Sequence, residues 1–132
     1  MNKYVIDTHI FLWLLFDPAK ISSDKLKILK NPKNGIYITS ITFWEISLKY
    51  SLGKLELKGF VPDELPMLAG KMGLETMEID QVTMATFYKL PKVARHKDPF
   101  DRIIIWKCIH DNIALVSQDR KFTEYEVFGL KL

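Results

Sequence analysis

The stretch Tyr4-Val5-Ile6-Asp7-Thr8-His9-Ile10-Phe11-Leu12-Trp13-Leu14-Leu15-Phe16 decides the fold. Tyr4-Val5-Ile6 is β-prone and lacks the apolar–polar alternation of a strand with one wet face, so it reads as a buried strand. It stops at Asp7. From about residue 9 a helix pattern runs to Phe16, where Asp17-Pro18 ends it. A buried strand that passes into a helix through one carboxylate is half of a strand–helix–strand unit.

The same grammar recurs downstream. Ser22-Ser23-Asp24 offers a cap for a second helix through Lys30, closed by Asn31-Pro32-Lys33-Asn34-Gly35. Ile36-Tyr37-Ile38 is a second strand, and Thr39 or Ser40 caps a helix to about Leu52 with Gly53 as its stop. A helix between Pro62 and Met72, a strand over residues 74–79 and a helix capped by Asp80 through Leu90 follow. A basic loop over 91–99 leads into a helix from about Phe100 to Asp111. Ala114-Leu115-Val116 is a fourth strand, and a last one is expected near Leu130 and Leu132. Strands alternating with helices predict an α/β fold, a three-layer α/β/α sandwich around a mainly parallel sheet. No repeat or linker interrupts the chain, so residues 1–132 read as a single domain.

Composition narrows the class. At 132 residues and 48% hydrophobic content, the chain can bury a core without covalent staples. The lone Cys108 excludes an internal disulfide and, beside Ile104, Ile105 and Ile109, reads as a small core residue in a reducing compartment. The apolar run over 10–16 is far shorter than the ~20 residues of a membrane helix, and nothing resembles a signal peptide. The expectation is a soluble, cytoplasmic protein. The net charge of +3, from 19 basic and 16 acidic residues, says little about partners unless the acids are gathered in one place.

Four acids meet that condition. Ligands of open parallel sheets bind beyond the carboxyl ends of the strands. Asp7 follows the first strand directly, Asp119 follows the fourth after two polar residues, and Asp101 lies in the first turn of the helix before that strand. Ile41, Glu45, Leu48 and Leu52 form one line along a helix, and a carboxylate on that apolar line needs compensation. Each acid also has a plainer use. Asp7 can cap the helix near His9, and Asp98-Pro99-Phe100-Asp101 has the form of a helix start. Asp119 can cap a turn, and Glu45 can pair with Lys49 four residues on. Those uses must all hold independently, whereas one acidic site suited to Mg²⁺ or Mn²⁺ accounts for the set. Zinc fits poorly, because His9, His96 and His110 show no paired ligand spacing and there is no second Cys.

The motifs carry a family resemblance. Tyr4-Val5-Ile6-Asp7-Thr8-His9 resembles the opening of PIN-domain toxins of the VapC type, and Phe43-Trp44-Glu45-Ile46-Ser47-Leu48-Lys49 their glutamate helix. His96-Lys97-Asp98-Pro99-Phe100-Asp101-Arg102 resembles the third motif and Leu115-Val116-Ser117-Gln118-Asp119 the fourth, in the family's order across nearly the whole chain. The resemblance implies an α/β/α sandwich and a metal-dependent endoribonuclease. Asp7, Glu45, Asp101 and Asp119 match the acidic metal ligands, with Thr8, Asp98 and Ser117 in support. A divalent ion there lowers the pKa of its water and neutralises the phosphate, and such nucleases leave a 5′-phosphate and a 3′-hydroxyl. The resemblance also implies a cognate antitoxin and a homodimer.

An acidic centre needs basic neighbours to meet RNA, and Arg95, His96, Lys97 and Arg102 flank Asp101 in sequence while Arg120 and Lys121 flank Asp119. Trp44 and Trp106 could stack on bases, but core packing is the expectation for both. Competing readings are a phosphatase with Asp7 as nucleophile, a non-catalytic interaction module, and a PIN nuclease in RNA processing. The first would want a second Asp two residues on, where the chain has His9.

Overall fold

The computed structural model describes residues 2–132. Four strands, β1 (Lys3–Ile6), β2 (Gly35–Thr39), β3 (Glu75–Met77) and β4 (Ala114–Val116), form one sheet in the order β3-β2-β1-β4. Every pairing is parallel, with Ile6 opposite both Ile38 and Val116. Six α-helices lie around it: α1 (Thr8–Phe16), α2 (Ser23–Lys30), α3 (Ser40–Ser51), α4 (Leu65–Lys71), α5 (Gln81–Thr86) and α6 (Pro99–Asp111).

Alternation along the strands sorts the core into two layers. Ile6, Ile38 and Val116 face one way, into a cluster with Ile10 and Phe11 of α1 and Leu65 and Ala69 of α4. Val5 and Leu115 face the other way, against Ile104, Ile105 and Cys108 of α6. Helix α3 serves both layers, giving Ile41 to the second and Ile46 to the first. Both faces of the sheet are therefore buried, which is why its strands read as continuous apolar runs.

Several expectations need correction. No strand forms near Leu130 and Leu132 among the described residues. Residues Arg120–Phe128 wind into a 3₁₀ helix that Gly129 ends at φ 104°, and one bond, from Leu115 N to the Lys131 carbonyl, ties the tail to β4. Strand β3 is half the expected length. The helices expected over 62–72 and 80–90 each divide into an α-helix and a 3₁₀ turn, at Pro62–Glu64 and Phe87–Lys89. The apolar line on α3 is buried only at Ile41 and Glu45, whereas Leu48 and Leu52 are exposed. Trp44 is 60% exposed, against the expectation of core packing, and sits edge-on to Phe100. Trp106 is half-buried, its indole N–H donating to the Thr83 carbonyl at 3.0 Å. No helix among the described residues is long and apolar enough to cross a membrane.

Candidate metal centre

The carboxyl edge of the sheet gathers the acids by strand register. Asp7 follows β1 and has the parity of Val5, so its side chain is on the α6 side. Its neighbours across the sheet are Thr39 after Ile38 and Ser117 after Val116. Asp101, in the first turn of α6, faces the same edge. Asp7 and Asp119 line one cavity of about 230 Å³ with His9, Trp13 and Gln118. Ligand atoms of Asp101, Asp119 and His96 lie within 4.8 Å of one another.

The plainer uses of these acids are real and do not compete with convergence. Asp7 accepts from Ile10 N at 2.8 Å and caps α1. Asp98 accepts from Asp101 N at 3.0 Å and caps α6, with Pro99 at its first position. Asp119 accepts from Lys121 N at 2.9 Å. In a parallel sheet, caps of the helices that follow the strands and ligands at the strand ends occupy the same edge. Each cap bond also leaves carboxylate lone pairs free.

Two hydroxyls and a lysine brace the acids. The Ser117 hydroxyl accepts from Asp119 N at 3.1 Å and lies near enough to Asp7 to favour its charged form, linking the first and fourth motifs. Thr8 Oγ1 donates to Glu45 Oε1 at 2.7 Å and also meets Thr42 Oγ1 at 2.9 Å. Glu45 Oε2 accepts from Lys49 Nζ. Glu45 is 2% exposed, so both of its oxygens are compensated inside the protein.

His96, expected among the residues that meet RNA, instead turns inward, because its partners are Asp101 and Tyr125. It is buried, with Nε2 3.0 Å from Asp101 Oδ2 and Nδ1 2.9 Å from the Tyr125 hydroxyl. Arg102 Nε donates to that hydroxyl at 3.2 Å. The Tyr125 hydroxyl and the Asp101 carboxylate thus hold the two ring nitrogens of His96 on opposite sides. Bonded to both Tyr125 and Asp101, His96 orients the carboxylate, as imidazoles and carboxylates behind metal sites do. The signal available in sequence was the position of His96 within the third motif.

Arg102 does not reach outward. Its guanidinium donates to the carbonyls of Leu90 at 3.2 Å and Pro91 at 2.8 Å and lies over the Phe87 ring. It fastens the loop before α6 through Nε and one of its two terminal nitrogens. Arg95, Lys97, Arg120 and Lys121 are exposed on the two segments that carry His96, Asp101 and Asp119. Tyr125→Phe should cost about 1 kcal/mol by removing one buried hydrogen-bond relay. Urea unfolding of the two proteins measures that loss, and equal midpoints would show that the relay contributes nothing.

The electrostatics of this edge disfavour bare carboxylate charge. Burial pushes the Asp7 carboxyl up to about 6, against the opposing hydrogen bonds from Ser117 and Ile10, and the charge of Asp101 adds to the rise. Asp101 is also raised, first by burial and then by Asp98 and Glu45, although His96 pulls the other way. Carboxylates that resist ionisation because they share one desolvated edge form an oxygen-rich donor set, which suits a hard divalent ion.

The family profile for the PIN domain matches residues 4–127. Among solved structures, the chain is similar to VapBC2 from Rickettsia felis bound to a DNA fragment from their promoter. Identity is 22% and the TM-score 0.69, over 98% of this chain and 96% of that one. DNA-bound VapBC from Salmonella typhimurium is 19% identical, with a TM-score of 0.67 over 99% and 96% of the two chains. VapBC-1 from nontypeable Haemophilus influenzae is 18% identical, with a TM-score of 0.67 over 98% and 95%. At these identities the structures speak for the fold. No curated protein matches the chain.

Proposed function

Because the chain belongs to the PIN-domain family, we propose that it is a metal-dependent endoribonuclease and the toxin of a toxin–antitoxin pair. The observation that carries the reading is the meeting of Asp7, Asp101 and Asp119 at one sheet edge, with Asp7 and Asp101 both held above the usual carboxylate range.

Asp7, Asp101 and Asp119 would hold Mg²⁺ or Mn²⁺, with Glu45 completing the acidic centre. Bound there, the ion would acidify water and neutralise charge on the phosphate under attack. The protein's own work is orientation. Ser117 fixes Asp7 relative to Asp119, His96 fixes Asp101, and Thr8 fixes Glu45. No side chain is required as a covalent nucleophile, which separates this reading from the phosphatase.

RNA approaches across the exposed cations. Arg95 and Lys97 are exposed in the segment before α6, and Arg120 and Lys121 are exposed at the start of the 3₁₀ helix after β4. Contacts of this kind position the backbone without reading sequence. Replacing Lys97 and Lys121 together with Ala should weaken RNA binding and reduce the slope of log affinity against log salt by about 1.4. An unchanged slope would remove these lysines from the interface.

The solved structures similar to this chain are of VapBC, and on that likeness we assign a cognate antitoxin partner. A small antitoxin-like reading frame beside the gene, whose product copurifies with the chain and blocks cleavage, is the expected finding. Its absence would favour the housekeeping nuclease. The activity itself is tested by incubating purified, antitoxin-free protein with an RNA pool, with Mn²⁺ or with EDTA. Cleavage that survives EDTA rules the mechanism out.

A further inference from the structure

We propose that Lys49 is a built-in second cation of the acidic centre, so that the chain takes one divalent ion where a two-metal nuclease takes two. The proposal rests on the nuclease reading above and adds to it the number of ions and a residue that sets it.

Two-metal nucleases place their ions about 3.5–4 Å apart, so that each neutralises part of a shared carboxylate cluster. Here the cluster splits into two ends with different compensation. At one end, Asp101 and Asp119 bring ligand atoms together and Asp7 opens into the same cavity as Asp119. No lysine or arginine pairs with these three acids among the described residues. At the other end, the Lys49 ammonium is bonded to Glu45 Oε2, and the opposite oxygen takes the Thr8 hydroxyl. The charges of Asp98 and Asp101 also reach Lys49, so its ammonium serves the cluster and not Glu45 alone.

An ordinary i,i+4 pair on a helix surface is two exposed side chains that contribute a few tenths of a kcal/mol. This pair is different, because its carboxylate is buried at 2% exposure and bonded across to Thr8 of α1. Removing the ammonium leaves a desolvated anion beside Asp101 and Asp98. That anion would recruit a cation from solution. Lys49 thus acts through Glu45 and the shared field as a positioning residue, and Glu45 is kept from binding an ion of its own.

The test counts ions and does not depend on turnover. Full-length protein, stripped with EDTA and dialysed free of it, is titrated with Mn²⁺ by calorimetry as wild type, Lys49→Gln and Lys49→Arg. Gln keeps much of the side-chain length and a donor for Glu45 but removes the charge. Arg restores the charge. One Mn²⁺ per wild-type chain, two per Lys49→Gln chain and one per Lys49→Arg chain are expected. RNA cleavage should show first-order dependence on Mn²⁺ in wild type and second-order dependence in Lys49→Gln, with a loss on the order of 10–100-fold at limiting Mn²⁺ that excess Mn²⁺ reverses. Two ions in the wild type, or an unchanged count and order in Lys49→Gln, overturn the role given to Lys49 while leaving the nuclease intact. A wild-type chain that binds no Mn²⁺ and cuts no RNA overturns both readings.

Discussion

Asp101→Asn should reduce RNA cleavage by roughly 10²–10³-fold or more, the loss that follows removal of one preorganised charge-stabilising group, while the protein stays folded. The carboxylate sits in the first turn of α6 with His96 Nε2 on one oxygen and Asp119 within reach of the other side. Asparagine fills the same volume, and its amide can bond the same imidazole nitrogen, so the relay through Tyr125 survives. What disappears is the negative charge. Because burial, Asp98 and Glu45 already disfavour that charge, its removal should leave thermal stability in EDTA unchanged or raised. The decisive comparison is therefore a pair of measurements on one sample: cleavage of an RNA pool in Mn²⁺, and a thermal melt in EDTA. Normal cleavage by the variant would take Asp101 out of the centre. Lost cleavage together with a collapsed melt would show that the Asp101 carboxylate is needed for folding, and the loss of activity would then say nothing of metal.

The layout of the fold was legible because its strands are buried on both faces and its helix starts are chemically explicit. Val5, Ile6, Ile38 and Leu115 leave no polar alternation to misread, and Asp98-Pro99 is a helix start that the structure uses as written. The tail was misread because Leu130 is buried without belonging to a strand. A lone burial and a single hydrogen bond to β4 satisfy it, and apolarity in a short segment cannot distinguish those states. The outer half of α3 was misread for a related reason. Leu48 and Leu52 share the phase of Ile41 and Glu45, but the neighbours that cover the first two turns do not extend over the third.

Within the site, the sheet-edge positions of Asp7, Asp101 and Asp119 were legible from their places after strands and at a helix start. The network that orients them was not. His96, Tyr125 and Arg102 are up to 29 residues apart, and their hydrogen bonds depend on how the 3₁₀ helix after β4 packs back against α6. Arg102 shows the converse error. Adjacent to Asp101, it has the charge that an RNA contact needs, and only its direction, inward to the Leu90 and Pro91 carbonyls, decides its use.

Asp7→Asn separates the cap from the ligand, and its stability effect should reverse the usual expectation for a buried substitution. Asp7 caps α1 through Ile10 N, and Asn is an equally good cap, so that bond is retained. The charge is the difference. In the folded, metal-free protein the Asp7 carboxyl is pushed up to about 6 by burial, against 3.8 for the free group. Between those values the folded state holds a proton that the unfolded chain releases, so acidification stabilises the wild type and raising the pH through this window destabilises it. Above about pH 6 the ionised form is present in both states, and its desolvation cost of about 2–3 kcal/mol remains in full. Asn carries no such cost. At pH 7.5 in EDTA, Asp7→Asn should be more stable than wild type by about 1–3 kcal/mol, a gain of several degrees in Tm that vanishes near pH 4. Adding Mn²⁺ should raise the wild-type Tm and leave the variant's nearly fixed, because a bound cation compensates the charge that Asn lacks. Thermal melts of both proteins at the two pH values, with EDTA and with Mn²⁺, make the test. A variant less stable than wild type at both pH values would mean that Asp7 serves α1 as a charged cap, and its place as a metal ligand would then have to be given up.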